Sequence, residues 1–542
     1  VLEIRSALPS DPLGARLGAF LAHSPPAATV STTVTLVSDP GRVELAPLLA
    51  AAADGRAPLL AAVTSGSGAP AALLDAAGVR VGRCVPAHPV RLGTDPGLAA
   101  LTARLDERPE PLTPLVGLVP CDDATTVLLS APAGLERLAV ATWRPATGVL
   151  LVGFDPAALL GPAPWGPSSD PGLRLLHRLV LLASGNDPAG SPLPAVGLLG
   201  YGAIAAEHVA GFRAAGFEVT AVCDRSDARL AAAAAAAPGV RTYAKADELL
   251  GDPDVGLIAV STPPDSHARW AGAALERGRH VVVEKPLALT TADADAMLRA
   301  AEGSGLTLAV YQNRRFDPDF LALERLVRSG RLGQVFHVEA FVGGYDHPCN
   351  YWHSDAGVSG GTAFDWGSHY LDQLLALLPS PVSAVQGSAH KLRWHDVTNA
   401  DQMRIQLRFA DGAEADFVHS DLAAALKPKW YVLGSEGAAV ATWRREKVVG
   451  RSSVGLLDED ILAPADSPAE LRWHLPDGST TELALPVAAP GRFHRELADR
   501  LSLGEALTAD PRQSRDVVAV LEAAVASADA GGTIVRPDLL TR

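Results

Sequence analysis

The spacing of apolar positions changes three times along the chain. Before residue 185, short apolar runs at Thr33–Val37, Leu59–Val63, Thr126–Leu129 and Val149–Gly153 have the length of buried strands, and Ala-rich helical stretches alternate with them. That rhythm predicts a layered α/β domain. Leu173–Ala183 reads as a helix; it is too short to span a bilayer and carries Arg174, His177 and Arg178. The run Ala183–Pro194, ASGNDPAGSPLP, breaks helix and strand alike and predicts a linker.

After the linker the pattern becomes regular. Ala195–Leu199, Val219–Cys223, Val255–Ser261 and His280–Val283 are apolar strands, with helices at Ala203–Ala215 and Leu230–Ala237 and another before His280. Strand, helix, strand in this order predicts a doubly wound parallel sheet. From about Gln334 the runs lengthen and alternate: Val335–Val342, Ser383–Ala389, Met403–Phe409 and Glu414–His419, the last two flanking the hairpin pair Asp411–Gly412. A large open, mostly antiparallel sheet is expected there. Helices at Phe493–Leu501 and Val517–Ala530 close the chain. The expected domains are 1–185, a linker 186–194, a doubly wound domain 195–315 and an open-sheet domain 316–542.

Composition narrows the partners. With 46 Lys+Arg against 61 Asp+Glu the net charge is −15, which disfavours nucleic acid and anionic membranes. Cys84, Cys121, Cys223 and Cys349 stand singly, and Val1–Ser10 shows no apolar leader core, so a cytoplasmic protein is expected. Lysine is rare: Lys245, Lys285, Lys391, Lys427, Lys429 and Lys447 are the whole set, and arginine is the default cation.

Gly200-Tyr201-Gly202-Ala203-Ile204-Ala205 follows a strand and opens a helix. Gly200 permits the tight turn, Gly202 lets backbone approach a pyrophosphate, and Ala205 permits close helix–strand contact. Asp224 ends the next strand, 22 residues past Gly202, where a carboxylate can take both ribose hydroxyls and repel a 2′-phosphate. NAD is therefore favoured over NADP, although Arg225 could stack on adenine or accept that phosphate. Lys285, in Glu284-Lys285-Pro286, ends a parallel strand, where an ammonium can polarise a carbinol or carbonyl oxygen. Asp365 and His369 are four apart and share a helix face. The loop Tyr345-Asp346-His347-Pro348-Cys349-Asn350-Tyr351-Trp352-His353 holds zinc-type ligands, yet its aromatic and polar side chains suit a sugar pocket better, and no metal is expected.

Together with Ser261-Thr262-Pro263-Pro264, His267, Asn313-Arg314-Arg315-Phe316 and the run Gly360–Asp372, these motifs resemble the glucose–fructose oxidoreductase / inositol dehydrogenase (Gfo/Idh/MocA) family from about Pro194 to Pro537. The resemblance implies a Rossmann domain followed by an α/β domain with an open sheet, and NAD as cofactor. It implies cofactor contacts at Gly200, Tyr201, Gly202, Ala203, Ile204, Asp224, Arg225, Ser261, Thr262, Pro263, His267, Glu284, Lys285 and Arg314. Substrate would meet Asn313, Tyr345, Asn350, Tyr351, Trp352, His353, Asp365 and His369. His369 would exchange the proton, Lys285 would polarise the oxygen and Asp365 would support substrate; His267, Asp372 and Gln373 read as structural. The implied activity is hydride transfer to or from a sugar, cyclitol or polyol in a homodimer or homotetramer built through the open sheet. A redox-neutral glycosidase or epimerase working through a keto-sugar is a second reading, and an NAD-holding regulatory protein a third.

Residues 30–185 are similar, more loosely, to trehalose-utilisation (ThuA-like) domains of flavodoxin/amidotransferase-like fold, through His88-Pro89, Thr126–Leu129, Trp143-Arg144 and Gly153-Phe154-Asp155-Pro156. Phe154 stands where that family commonly has histidine, and Val63–Gly68 lacks a nucleophilic cysteine. A non-catalytic domain is expected.

Overall fold

The computed structural model describes residues 2–6, 32–37, 45–54, 59–62, 70–77, 79–85, 91–92, 115–122, 124–133, 136–152, 171–183, 190–349, 351–443, 445–452, 455–462, 469–486 and 491–540. The chain divides into two compact units: Val1–Leu193 with Arg495–Thr508, and Pro194–His494 with Ala509–Arg542.

In the second unit, β1 (Val196–Leu199), β2 (Val219–Cys223), β3 (Arg241–Tyr243), β4 (Leu257–Val260), β5 (His280–Val283) and β6 (Leu308–Val310) form a wholly parallel sheet in the order 3-2-1-4-5-6. This is the doubly wound dinucleotide-binding arrangement, with its switch point between β1 and β4. β1 and β4 are buried along their whole length because helices cover both faces. Ser226 and Thr290 cap two of these helices, their side chains accepting from the backbone N–H groups of Arg229 and Asp293.

The second sheet has eight strands: β7 (Val335–Gly343), β8 (Val382–His390), β9 (Gln402–Phe409), β10 (Glu414–Ser420), β11 (Trp430–Gly434), β12 (Gly437–Thr442), β13 (Glu470–His474) and β14 (Thr480–Glu482), ordered 8-9-10-7-11-12-13-14. Only β7 and β10 pair in parallel, so the expected sheet is mostly antiparallel, extended by four strands the alternation did not reveal. The helices Gly361–Leu377 and Pro511–Asp529 pack on one face, burying Tyr370, Leu371, Leu374, Val517, Val520 and Leu521 among Phe417, Ile405 and Trp430. Gly387 on β8 is required by that packing, because a Cβ there would collide with the Ala524 carbonyl.

The described strands of the first unit form a nine-stranded mixed sheet. Leu2–Ser6, Thr32–Val37, Leu59–Ala62 and Val149–Val152 run parallel, and Glu136–Arg144 then begins an antiparallel half. Thr126–Leu129 and Trp143-Arg144 lie on paired strands of this half. His88-Pro89, Gly153–Pro156, the Val63–Gly68 turn and the Cys84 side chain lie outside the described residues.

One boundary differs from expectation. Arg495–Thr508, assigned by sequence to the 316–542 domain, groups with the first unit. The reason is charge. Arg174, His177 and Arg178, spaced to share one face of the Pro171–Ala183 helix, are buried against Glu496, Asp499 and Glu505. Arg174 Nη1 lies 2.7 Å from Glu505 and 3.1 Å from Asp499, Arg178 Nη2 lies 2.9 Å from Asp499, and His177 Nδ1 lies 3.1 Å from Glu505.

Candidate active site

The glycine-rich turn joins β1 to the Ala205–Ala214 helix. Gly200 has φ +98, and a Cβ there would meet the Ser261 carbonyl at 2.5 Å, so glycine is needed. A Cβ at Gly202 would meet no atom of the described residues within 4 Å. That open space at the head of a helix is what a pyrophosphate needs for close approach to backbone N–H groups. Asp224 does more than the sequence implied: its two oxygens accept from the N–H of Tyr201 at 2.8 Å and of Ser226 at 2.9 Å, tying the turn to the end of β2. Each oxygen keeps lone pairs for ribose hydroxyls. Arg225 is exposed, and Arg229, unnoticed in the sequence, lies 3.5 Å from Asp224. Ser261 Oγ, at the end of β4, is buried without a hydrogen-bond partner among the described residues. The residues present thus fit a bound dinucleotide.

His267 is fully buried, its ring nitrogens 2.8 Å from the carbonyls of Pro286 and Thr262. Burial holds its pKa below the ordinary value, against those two acceptors. It pins the Ser261–Pro264 turn to the Glu284–Pro286 turn.

Lys285 stands at the carboxyl end of β5. Its Nζ donates to Asp365 Oδ1 at 3.0 Å and to the Asp365 carbonyl at 2.9 Å. His353 Nδ1 approaches the same Oδ1 at 3.4 Å, and the Trp352 ring stacks on His353 at 3.7 Å. Burial pushes the Asp365 carboxyl up, but Lys285 and His353 outweigh it and hold it well below the usual carboxylate range. His369, one turn along the same helix, is buried, and its Nδ1 has no hydrogen-bond partner among the described residues. Burial, reinforced by Lys285 and Arg314, holds that imidazole well below its ordinary pKa. At neutral pH Asp365 is therefore a carboxylate and His369 a neutral imidazole.

The other expected residues divide. Tyr351 meets His353 edge-on at 5.2 Å, and burial, then Cys349, pushes its phenol up to about 12. Arg314 lies over the Trp366 ring at 5.4 Å. Asn313 reaches Glu207, and Gln373 donates to the Arg314 carbonyl at 2.6 Å, so Gln373 holds this turn in place. Asp372 pairs with buried Arg315. Tyr345 has Trp394 and Arg393 as ring neighbours. Asn350 lies outside the described residues. Among the described residues no group of three or more His, Cys, Asp or Glu side chains is placed to hold a metal, and no helix is long and apolar enough to cross a membrane.

Two residues near the site escaped the sequence reading. His419 shares the inward parity of Ala415 and Phe417 on β10, stacks on Trp366 at 6.4 Å, and is held down to about 4 by burial. Asp421, 3.6 Å away, is pushed up to about 7 by burial and by Asp401 and Asp365. A histidine at an inward position of an alternating strand was the available signal.

A family model described as "Oxidoreductase family, NAD-binding Rossmann fold" matches residues 195–312, and one described as "GFO/IDH/MocA C-terminal domain" matches 320–440. The uncharacterized oxidoreductase YhhX of Escherichia coli is 33% identical over 270 residues, 48% of this chain and 74% of that protein. The scyllo-inositol 2-dehydrogenase (NADP(+)) IolW of Bacillus subtilis is 26% identical over 55% of this chain and 84% of its own length. The uncharacterized oxidoreductase C115.03 of Schizosaccharomyces pombe is 37% identical over 31% of this chain, and the match spans just under half of that relative, 46%. A solved NAD-binding protein from Listeria innocua superposes with a TM-score of 0.54 at 27% identity, covering 64% of this chain and 97% of that one.

Proposed function

The chain belongs to the Gfo/Idh/MocA oxidoreductase family, and from that premise we propose that it transfers hydride between a nicotinamide and a secondary carbinol of a sugar, cyclitol or related polyol. The observation that carries the proposal is the meeting of Lys285 with Asp365 one helical turn from an unpartnered, neutral His369.

The nicotinamide, when bound, supplies the hydride acceptor or donor. Carbon releases hydride more readily as its oxygen loses a proton, so oxidation needs a base that is free at neutral pH. His369 meets that need because its depressed pKa keeps the ring unprotonated. Lys285 places positive charge where the oxygen becomes an alkoxide, and Asp365 holds that ammonium in place from two atoms. In reduction the same groups run backward, with the imidazolium returning the proton.

The dinucleotide seat is Gly200 to Ile204 with Asp224, Ser261, Thr262, Pro263 and Glu284. NAD preference follows from the Asp224 carboxylate, although Arg225 and Arg229 stand nearby. Kinship with a scyllo-inositol dehydrogenase and the Tyr351–His353 aromatic wall support a polyhydroxylated substrate. We read the first unit as a non-catalytic domain of trehalose-utilisation type, and the exposed face of the eight-stranded sheet as the surface for dimer or tetramer assembly. The test is mass spectrometry of the purified protein for retained NAD, followed by a panel of sugars, polyols and glycosides scored at the NADH absorbance band. Turnover of a polyol with NADH formation supports the proposal; no bound or added dinucleotide and no turnover across the panel would contradict it. Glycoside cleavage with no net NADH would favour the redox-neutral alternative.

A further inference from the structure

Glu207 and His208 lie on the helix that receives the dinucleotide, and both reach across to the ends of neighbouring strands. Glu207 accepts from Tyr311 Oη at 2.5 Å, just past β6. His208 Nε2 lies 2.8 Å from Glu284 Oε1, just past β5, and its Nδ1 lies 3.0 Å from His494 Nε2. Both imidazoles are fully buried. The other Glu284 oxygen accepts from the Lys285 N–H at 3.2 Å.

The direction of this chain of bonds follows from the donors available. A carboxylate only accepts, so His208 Nε2 must carry a proton. Across the 3.0 Å contact between His208 Nδ1 and His494 Nε2 a single proton joins the two rings. The packing is built around this path. Gly211 interrupts the helix interior, where glycine is unfavourable, and a Cβ there would collide with the His494 ring. Tyr311 lies on His208 with ring centroids 4.4 Å apart.

The geometry points to His208 as a positioning residue for Lys285: through Glu284 it fixes the backbone of the site's lysine to the helix that carries the cofactor, with His494 bonded to its other ring nitrogen. The inference rests on the hydride-transfer reading for its purpose. His208 itself touches neither substrate nor cofactor in this role. What it supplies is register between the pyrophosphate seat and the ammonium that meets Asp365.

Two conservative variants separate the two bonds. Glutamine places an amide donor near Nε2 and keeps the bond to Glu284; asparagine reaches only the Nδ1 position and loses it. The readout is acetic-anhydride labelling of the full-length protein, quantified by mass spectrometry, with Lys391 and Lys427 as internal references among six lysines. Losing one such hydrogen bond shifts a local equilibrium about three- to tenfold. His208→Asn should therefore raise Lys285 labelling by about that factor, while His208→Gln stays near wild type and NADH affinity, read by fluorescence, changes less than about threefold in either. A role in packing alone would not separate the two variants. Any other ordering, including both variants alike, overturns the proposal. The wild-type protein offers a check without substitution: the bonded imidazole chain should place an N–H proton resonance far downfield of the amides, and its absence would also count against the chain. Failure of the wild type to bind NADH would sink the dinucleotide reading, and the labelling result would still decide the positioning chain.

Discussion

Two clusters of charge in this protein are built on opposite plans. In the first unit Arg174, His177 and Arg178 face Glu496, Asp499 and Glu505, every one of them buried and every guanidinium against a carboxylate. In the second unit Lys285 and His353 share one carboxylate, Asp365, and all three side chains remain between 17% and 32% exposed. Beside them His369 is buried with a ring nitrogen that finds no hydrogen-bond partner among the described residues. The first plan matches charge with charge and holds two distant segments together. The second pairs its charges but leaves them partly open to solvent, an arrangement suited to the developing charge of the proposed hydride transfer. Burial of ionisable groups is thus a poor guide to chemistry until their partners are counted.

Substitutions that exchange one plan for the other sharpen the contrast. The largest effect is expected at the open cluster. His369→Ala should lower kcat about 10²–10⁴-fold, and Lys285→Met about 10²–10³-fold, with little change in NADH affinity or melting temperature. Steady-state kinetics beside a thermal melt would show this, and a fall in stability with normal kcat would reverse the assignment.

Glu505→Gln should do the opposite, costing about 3–5 kcal/mol by leaving buried guanidinium groups short of a partner. Denaturant unfolding would measure it, with NADH affinity of the folded protein unchanged. The same cluster gives acid sensitivity. Burial pushes Glu505 up, but Arg174, His177 and Arg178 bring it down to about 2. A carboxyl whose folded pKa is depressed adds stability above its unfolded pKa, and loses it as pH falls from about 4.5 toward 2. A chain started near Pro192 would strand Glu496, Asp499 and Glu505 together, so deletion of the first unit should destabilise Arg495–Thr508.

Asp224→Ala should weaken NAD about tenfold while weakening NADP less, since it removes a ribose acceptor, a repulsive charge and the tie to Tyr201 at once. Binding titrations with both dinucleotides decide it, and a wild type that prefers NADP would contradict the reading. The smallest effect is expected at His419. Its folded pKa, about 4, lies below the ordinary imidazole value, so its contribution is full above about pH 6.5 and is lost as pH falls toward 4. His419→Gln should flatten the decline in melting temperature across that window.

How much of this was legible depends on range. The parallel sheet and the glycine turn follow from local runs, and the Asp411–Gly412 hairpin closes where its turn residues place it. That Lys285 follows a strand and that Asp365 and His369 lie one turn apart on a helix was readable because strand end and helical spacing are local signals. The pairing of Arg174 with Glu505 joins residues 331 apart and leaves no local mark. Strand Thr480–Glu482 escaped because three residues are too few to alternate visibly. His208 was hidden by its own helix, where a polar residue among alanines reads as surface.

The account turns on His369 being the neutral base of the site. The direct measurement is kcat/KM against pH for wild type and for His369→Gln, with the panel substrate that turns over. The wild-type profile should show its acidic limb well below the ordinary imidazole pKa of about 6.5, because burial, Lys285 and Arg314 all resist the proton. In His369→Gln that limb should disappear along with most of the rate. An acidic limb that persists unchanged in the variant, at near wild-type turnover, would place the proton transfer on another group and contradict the assignment.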